Sequence, residues 1–322
     1  MPDLSVVIVN WNVAGLLRRC LQTLFQKTAG IDFEVFVVDN NSSDGSAGMV
    51  GREFPGVKLM VNSTNAGFAR ANNQAMRECR GRYVLLLNPD TELIDNAPGM
   101  MVEFMDAHPE VEGLACRLIY PDGSLQRNCR HFPSLFTDLM ESLYLDQAFP
   151  RSSFFNRYHM GQWGHDSVRE VDQPYGACLL FRRESLEKAG FMDERFFMYY
   201  DEVDLCYRVR KNGGRILFLP HIRVIHHANQ SSRQISLECE HWKCRSRLLF
   251  FEKHYGRWSP AVMALNLVVR SMLVWGVFPV LHLLFGRPRD VKYFRGPVAI
   301  MWKEYLTLML HKRAEESAGK PL

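Results

Sequence analysis

The chain has 322 residues, 39 Lys and Arg against 35 Asp and Glu, a net charge of +4, and is 47% hydrophobic and 12% aromatic. That length allows two domains or one large α/β unit, and the composition excludes a disordered, collagenous or repeat-array chain. Residues 257–322 carry +6 and leave −2 to residues 1–256, so the basic excess belongs to the C-terminal tail and no nucleic-acid partner is expected.

Residues 4–9 (LSVVIV) form a short apolar run ending in Asn10-Trp11-Asn12, the pattern of a buried parallel strand. Leu16, Leu17, Cys20, Leu21, Leu24 and Phe25 then recur at three- and four-residue spacings. This predicts a helix that Asn12 caps and Gly30 ends. Phe33–Val38 predicts a second strand stopping at Asp39, 57–61 a third, and Tyr83–Leu87 a fourth stopping at Asn88-Pro89-Asp90. Helical stretches are expected near 44–53, 67–79 and 97–107. Strand, polar turn and helix in repetition predict an α/β fold, a parallel sheet with helices on both faces. In such sheets ligands bind beyond the carboxyl ends of the strands, which here carry Asn10, Asp39 and Asp90.

Beyond residue 110 a strand is expected over 112–120, a tight turn at Pro121-Asp122-Gly123, and irregular chain with short helices over 130–170. A strand over 175–181 and a helix over 201–212, stopped by Gly213-Gly214, follow. Two short strands, 215–219 and 222–226, complete a mixed sheet. Eight cysteines without a CxxC pair, and no secretory leader pattern, argue against a disulfide framework or a zinc site and for reduced cytosolic thiols.

No dinucleotide GxG turn, P-loop or protein-kinase signature is present. The turn Asp39-Asn40-Asn41-Ser42-Ser43-Asp44-Gly45 instead crowds short donors and acceptors that suit a base and ribose, although taken alone it reads first as the cap of the next helix. Asn65-Ala66-Gly67-Phe68-Ala69-Arg70 opens a helix on a glycine with a guanidinium one turn in, an arrangement that favours phosphate or is a plain turn and a solvated charge. Asn88-Pro89-Asp90 places hard oxygen ligands for Mg²⁺ or Mn²⁺ at a strand exit, or is a common turn. Asp201, Glu202 and Asp204 lie in the first turn of a helix behind an aromatic run. Acids there are stabilised by the helix dipole, and Asp201 with Asp204 resembles a capping box. Crowding three of them against aromatics should raise at least one pKa, as a general base requires. His226-His227 ends an apolar strand, where a neutral imidazole can complete a metal shell.

Taken in order, SVVIVNWN, VVDNNSSDGS, NAGFARANN, LLLNPDTEL, YPDGSLQ, MYYDEVDLCYR and VIHHANQSS resemble the family 2 glycosyltransferases with the GT-A fold. The similarity is to the bacterial rhamnosyltransferase-like branch and covers about residues 3–235. It implies a GT-A catalytic domain over 1–240, with a nucleotide-binding half (1–110) and an acceptor-binding half (111–240), and a helical region over 241–322. It also implies that Asp39 contacts the base or ribose of a nucleoside-diphosphate sugar in a pocket lined by Asn10, Asn41 and Asp44, that Asn65, Gly67, Arg70 and Asn88 also bind the nucleotide sugar, and that Arg70 stabilises charge on the leaving diphosphate. Asp90 would carry Mn²⁺ or Mg²⁺, His226 would help hold metal or diphosphate, and Glu202, with Asp201 as the alternative, would be the base of an inverting transfer. Two departures stand out: Asn88 replaces the first acid of the usual Asp-x-Asp, and Asp201-Glu202 reverses the usual Glu-Asp order.

The branch resemblance favours dTDP-rhamnose as donor and a saccharide or lipid-linked saccharide of surface polysaccharide synthesis as acceptor. Two other classes compete. A nucleotidyltransferase would open with a glycine-rich phosphate loop, which Asn10-Trp11-Asn12 is not. A non-catalytic nucleotide-sugar-binding or scaffold member has the missing acid at Asn88 as its support, and Asp90, Glu202 and His226 against it. Residues 258–286 are apolar except for Arg270, but the longest run free of charged residues, 271–286, falls short of a lone membrane span. With Trp258, Trp275, Arg287, Arg289, Lys292 and Arg295 flanking, the segment suits a helix in an anionic headgroup region, hence a cytoplasmic protein peripheral on the inner face of the membrane. The alternative is a buried helix pair or an interface with a second copy of the chain.

Overall fold

The structure is a computed structural model, which describes residues 1–228, 232–277, 279, 296, 298–308 and 310. It forms two compact units, Met1–Phe132 with Trp163–Ile235, and Pro133–Gln162 with the described residues from Ser236 onward. Residues 133–162, which the sequence assigned to the acceptor-binding half, therefore fold with the C-terminal helices.

In the first unit, strands β1 (Leu4–Asn10), β2 (Phe33–Asp39), β3 (Lys58–Val61), β4 (Tyr83–Leu87), β5 (Thr91–Leu93) and β6 (Val111–Ile119) lead to four two-residue strands. These are β7 (Leu125–Gln126), β8 (Cys129–Arg130), β9 (Arg169–Glu170) and β10 (Gln173–Pro174). Strands β11 (Cys178–Arg182) and β12 (Arg215–His226) complete the set. The main sheet has the order β3-β2-β1-β4-β11-β6-β12-β5, with β7 on β6 and β9 on β12, while β8 and β10 pair separately. β1, β2, β3 and β4 run parallel, and β11 enters antiparallel to both β4 and β6.

Helices α1 (Ala14–Lys27), α2 (Ser46–Glu53), α3 (Phe68–Met76) and α4 (Ala97–Ala107) connect the parallel strands as the periodicity predicts. The core is the strands' apolar side chains packed on Leu17, Cys20, Leu21 and Leu24 of α1 and Met101, Val102 and Met105 of α4. The expected cap of α1 is corrected. Val13 is the N-cap residue and makes no side-chain cap, because Asn12 is left-handed (φ 53°) and turns its Oδ1 to the Ser43 amide at 2.7 Å. The cap comes from across the loop, where Asp44 Oδ2 accepts the Ala14 amide at 2.7 Å. The helix ends at Thr28, before Gly30.

The two short strands expected at 215–226 are one strand, β12, with a register shift between Leu219 and Arg223. Pro220 lies in that gap and has no N–H for the ladder, which explains both the irregularity and the sequence's break. α7 (Arg183–Ala189) and α8 (Asp201–Lys211) close the unit.

The second unit packs α5 (Leu135–Ser142) and α6 (Leu145–Ala148) with α9 (Ser236–Tyr255) and α10 (Ser259–Met272). α5 and α10 are tied by Asn266, which donates to Asp138 Oδ2 at 2.6 Å. α10 continues as a wider helical turn over Leu273–Val277. Ser259–Val277 is thus a 19-residue helical run of mean hydropathy 1.6, long and apolar enough to cross a membrane by length and composition, with 28% of its most apolar window buried. The sequence, counting only the charge-free stretch, placed this segment short of a span. Arg287, Arg289, Lys292, Arg295 and Asn229-Gln230-Ser231 lie outside the described residues.

Candidate active site

In-register parallel pairing sets Asn10 beside Asp39 at the carboxyl ends of β1 and β2. Asn10 Nδ2 donates to Asp39 Oδ1 at 2.9 Å and to Ser42 Oγ at 3.1 Å, and Asp39 Oδ2 accepts the Ser42 amide at 2.9 Å. Both residues are buried, and Asn10 Oδ1 has no hydrogen-bond partner among the described residues. A buried amide oxygen left without a donor is costly, and a ligand N–H or O–H would satisfy it.

The NAG loop is held against this rim by Asn40, which the sequence passed over as one more turn residue. Its Oδ1 accepts from Asn62 Nδ2 and the Ala66 amide, and its Nδ2 donates to the Gly67 carbonyl at 3.1 Å. Asn65 Oδ1 accepts the Gly67 amide. Gly67 has φ 84° and ψ 171°, and a Cβ there would lie 2.6 Å from the Phe197 carbonyl, so only glycine lets the two loops close on each other. The Phe68 amide donates to that same carbonyl at 2.7 Å.

At the exit of β4, Asp90 is buried and its Oδ1 lies 3.2 Å from Nε2 of buried His226. Asn88 Nδ2 is 3.4 Å from the same nitrogen. His226 Nδ1 lies 2.6 Å from Gln126 Oε1, a carbonyl that accepts, so the proton belongs on Nδ1 and the Nε2 lone pair faces the Asp90 carboxylate. That contact is repulsive unless Nε2 also carries a proton or a cation lies between the two. A small divalent ion bound at ~2.1 Å to each requires neighbouring ligand atoms about 3 Å apart. The donor set and spacing therefore fit one such cation, with Gln126 orienting the imidazole as second-sphere partners of ligating histidines do. Gln126 closes the YPDGSLQ block, the signal by which it was findable. The neighbouring His227 pairs with Glu92 at 2.6 Å.

The acids of α8 divide by position. Asp201 is 1% exposed, and its Oδ1 accepts the Glu202 amide at 3.0 Å, while Oδ2 has no partner among the described residues. Burial, reinforced by the Glu202 charge, pushes the Asp201 carboxyl well above the usual carboxylate range. Asp204 ion-pairs with Arg208 at 2.8 Å. The expected capping box is not formed: the N-cap is Tyr200, without a side-chain cap. Glu202 is half-buried, and a Cβ added to Gly176 would meet its Cβ at 3.6 Å. Gly176 precedes Ala177, whose carbonyl accepts the Asn88 amide, so Glu202 stands at the edge of the Asn88–Asp90 turn. Tyr199 and Tyr200, consecutive and both left-handed (φ 64° and 61°), aim the helix start there. Strained non-glycine backbone of this kind concentrates at functional sites.

Three expected residues stand apart. Asp44 is committed to capping α1 and to Ser46; burial raises its pKa, but the Ser46 hydroxyl and the amides of Ala14 and Ser46 outweigh this and lower it. Asn41 is exposed in a left-handed turn (φ 65°). Arg70 is exposed, with Glu194 at 3.9 Å. All eight cysteines are free, seven of them buried, and burial pushes the Cys20 and Cys79 thiols up to about 12, as core filler rather than nucleophiles.

The same fold occurs in the mannosyltransferase PcManGT from Pyrobaculum calidifontis in complex with GDP-Man and Mn²⁺, with a TM-score of 0.58 and 17% identity over 97% of this chain and 88% of that one. GalNAc-T7 with UDP, GalNAc and Mn²⁺ gives a TM-score of 0.55 and 15% identity over the whole of this chain and 58% of that one. In sequence, the chain is 29% identical over 289 residues to the N-acetylglucosaminyl-diphospho-decaprenol L-rhamnosyltransferase of Mycobacterium tuberculosis, covering 84% of this chain and 92% of that protein. It is 22% identical over 259 residues to the rhamnosyltransferase WbbL of Escherichia coli, covering 77% and 92%. The family model for glycosyl transferase family 2 matches residues 5–190, more than half of the chain, Asn10, Asp39 and Asp90 included. With its GT-A sheet, the chain is a glycosyltransferase and belongs to glycosyl transferase family 2.

Proposed function

We propose that this enzyme moves a single sugar, rhamnose from dTDP-rhamnose, onto a saccharide carried by a polyprenyl diphosphate, with inversion at the anomeric carbon. The observation that carries the reading is the assembly, along one sheet rim, of the buried Asn10–Asp39 pair, the facing Asp90–His226 pair and half-buried Glu202. Asp39 and Asn10 hold base and ribose, with the unpartnered Asn10 Oδ1 as an acceptor. Asp90 and His226, with the Asn88 amide beside them, would hold Mn²⁺ or Mg²⁺, whose charge would offset that of the leaving diphosphate. Glu202 takes the proton of the acceptor hydroxyl; that oxygen bonds the anomeric carbon from the face opposite the diphosphate, and the carbon–oxygen bond to the diphosphate breaks. Asp201, 1% exposed, is out of reach of an incoming hydroxyl and so unsuited to take that proton. The names of the M. tuberculosis and E. coli relatives support rhamnosyl transfer, and the former a lipid-diphosphate acceptor.

Calorimetric titration with dTDP, UDP and GDP, each with Mn²⁺ and then with EDTA, tests the donor assignment: dTDP binding that requires metal is expected. Glu202→Gln should abolish transfer and leave that binding intact, whereas Asp90→Asn should weaken both. Equal loss of binding in the two variants would reject the division of roles.

The second unit is proposed to meet the cytoplasmic leaflet through α10 and the turn after it. Trp258, Leu265, Met272 and Trp275 are 72%, 63%, 64% and 53% exposed, and Trp at such edges suits the headgroup region. Because α10 packs on α5, deleting residues 257–322 would also unpack α5, so substitution is the cleaner test. Trp258→Ser with Trp275→Ser should reduce co-sedimentation with anionic liposomes at least tenfold; undiminished binding would reject this face.

A further inference from the structure

The second unit gathers a cluster that the transfer reaction does not use. Glu141 is in the last turn of α5, Asp146 in α6, and His159 thirteen residues further on. One ligand atom from each lies within 4.8 Å of the others, and among the described residues no other group of three or more His, Cys, Asp or Glu side chains could hold a metal ion.

His159 Nε2 lies 3.7 Å from Glu141 Oε1 and 3.6 Å from Asp146 Oδ2. These distances are too long for hydrogen bonds, so the imidazole lies in loose ion-pair range of both carboxylates and hydrogen-bonds neither. Asp146 is 8% exposed, and its other oxygen, Oδ1, is buried with no hydrogen-bond partner among the described residues. A buried carboxylate so poorly satisfied calls for a cation. Glu141 is already oriented: Arg247 holds its Oε2 at 2.6 Å, leaving Oε1 toward His159. Tyr144, left-handed at φ 57°, makes the turn that brings α6 back beside the end of α5.

We propose that Glu141, Asp146 and His159 form a second, structural site for a divalent transition-metal ion, with Zn²⁺ the best fit. A tetrahedral ion with ligands at 2.0–2.2 Å requires ligand atoms about 3.4 Å apart, close to the two spacings observed, and one nitrogen with two carboxylate oxygens is a donor set that Zn²⁺ accepts, with water in the fourth position. A purely oxygen-seeking ion such as Mg²⁺ or Ca²⁺ would gain nothing from the imidazole. The ion would bridge the α5–α6 turn to the segment around His159 and so stabilise the second unit. The cysteine spacing that argued against a zinc site is silent here, because no cysteine takes part.

The test uses the full chain, stripped with EDTA and titrated with Zn²⁺ against a chromophoric chelator, and separately loaded with Co²⁺ for its visible absorption. The double variant Asp90→Asn with His226→Gln separates this ion from one at the donor site. One Zn²⁺ per chain should survive in that double variant, with a tetrahedral Co²⁺ band, and Zn²⁺ should raise its melting temperature. His159→Gln, at a partly exposed ring, should bind Zn²⁺ at least tenfold more weakly and lose the band; Asp146→Asn should do the same. Wild-type Zn²⁺ affinity in His159→Gln, or no Zn²⁺ retained by the double variant, would overturn the proposal.

Discussion

Gly67→Ala should injure both stability and donor binding. The residue's φ of 84° and ψ of 171° lie in a region that side chains enter at a cost of ~1–3 kcal/mol. The added Cβ would also meet the Phe197 carbonyl oxygen at 2.6 Å and its ring at 2.8 Å, and backbone cannot rotate away as a side chain would. Overpacking of that kind costs a further ~1–3 kcal/mol. The total is ~2–6 kcal/mol, which for a unit of this size lowers the melting temperature by at least about 4 °C. Gly190→Ala is the control. Its φ is 82° and nothing lies within 4 Å of a new Cβ, so it carries only the left-handed backbone cost of ~1–2 kcal/mol. Because the clash separates the NAG loop from the loop leading into α8, Gly67→Ala should also weaken dTDP binding, and Gly190→Ala should not. Thermal melts and calorimetry on the two variants check this. Equal melting temperatures with equal dTDP affinity would refute the idea that the close approach at Gly67 holds the two loops together.

Two further expectations concern pH. The pKa of Asp201 is raised in the folded state, so its stabilising contribution is complete below the ordinary carboxylate range and is lost as pH rises through the folded value. Asp201→Asn should therefore gain stability over wild type increasingly as pH rises above the ordinary carboxylate range, and a gap independent of pH in denaturant titrations would contradict this. His165 is fully buried, stacked 4.1 Å from Trp163, and burial lowers its pKa to about 4. A depressed histidine costs stability as pH falls from about 6.5, its unfolded value, through the folded one. His165→Asn, which tolerates the left-handed φ of 53°, should flatten the loss of stability between pH 6.5 and 4; an unchanged slope would assign the acid sensitivity elsewhere.

The parallel half of the sheet was readable because each strand is a mostly apolar run, broken only by Ser5, Glu34 and Lys58, and each leads into a polar turn. β1 is buried at every position from Leu4 to Asn10, and Tyr83–Leu87 has the bounds its composition predicted. What the sequence missed depends on contacts across long separations. Nothing near Asn12 shows that the cap of α1 comes from Asp44, thirty residues on. Nothing near Asn40 shows that its amide ties β2 to a glycine at 67, nor near Gln126 that it orients a histidine a hundred residues away. β12 was read as two strands because Pro220 is a sound local signal of a break, and the β6 ladder resumes on either side of it. The cluster at Glu141, Asp146 and His159 has no motif spacing, since it is made by a turn between two helices and a distant loop.

The proposed assignment within Asp201-Glu202 rests on position rather than residue type. At the start of a helix, consecutive side chains point about 100° apart, so one of two adjacent acids can be sealed inward while the other faces the rim. Here the sealed one is Asp201, whose Oδ1 accepts the next amide and whose charge burial disfavours. The rim position falls to Glu202, beside Gly176, where the absence of a side chain keeps the approach open. A carboxylate able to accept a proton from an incoming hydroxyl has to be reachable by it, which Asp201 at 1% exposure is not. In the proposed division of roles Glu202 is the base and Asp201 its buried neighbour, and the longer side chain occupies the outer position. The same reasoning applies at Asn88, where an amide beside Nε2 of His226 would leave one carboxylate, Asp90, to supply the negative charge of the proposed cation's donor set.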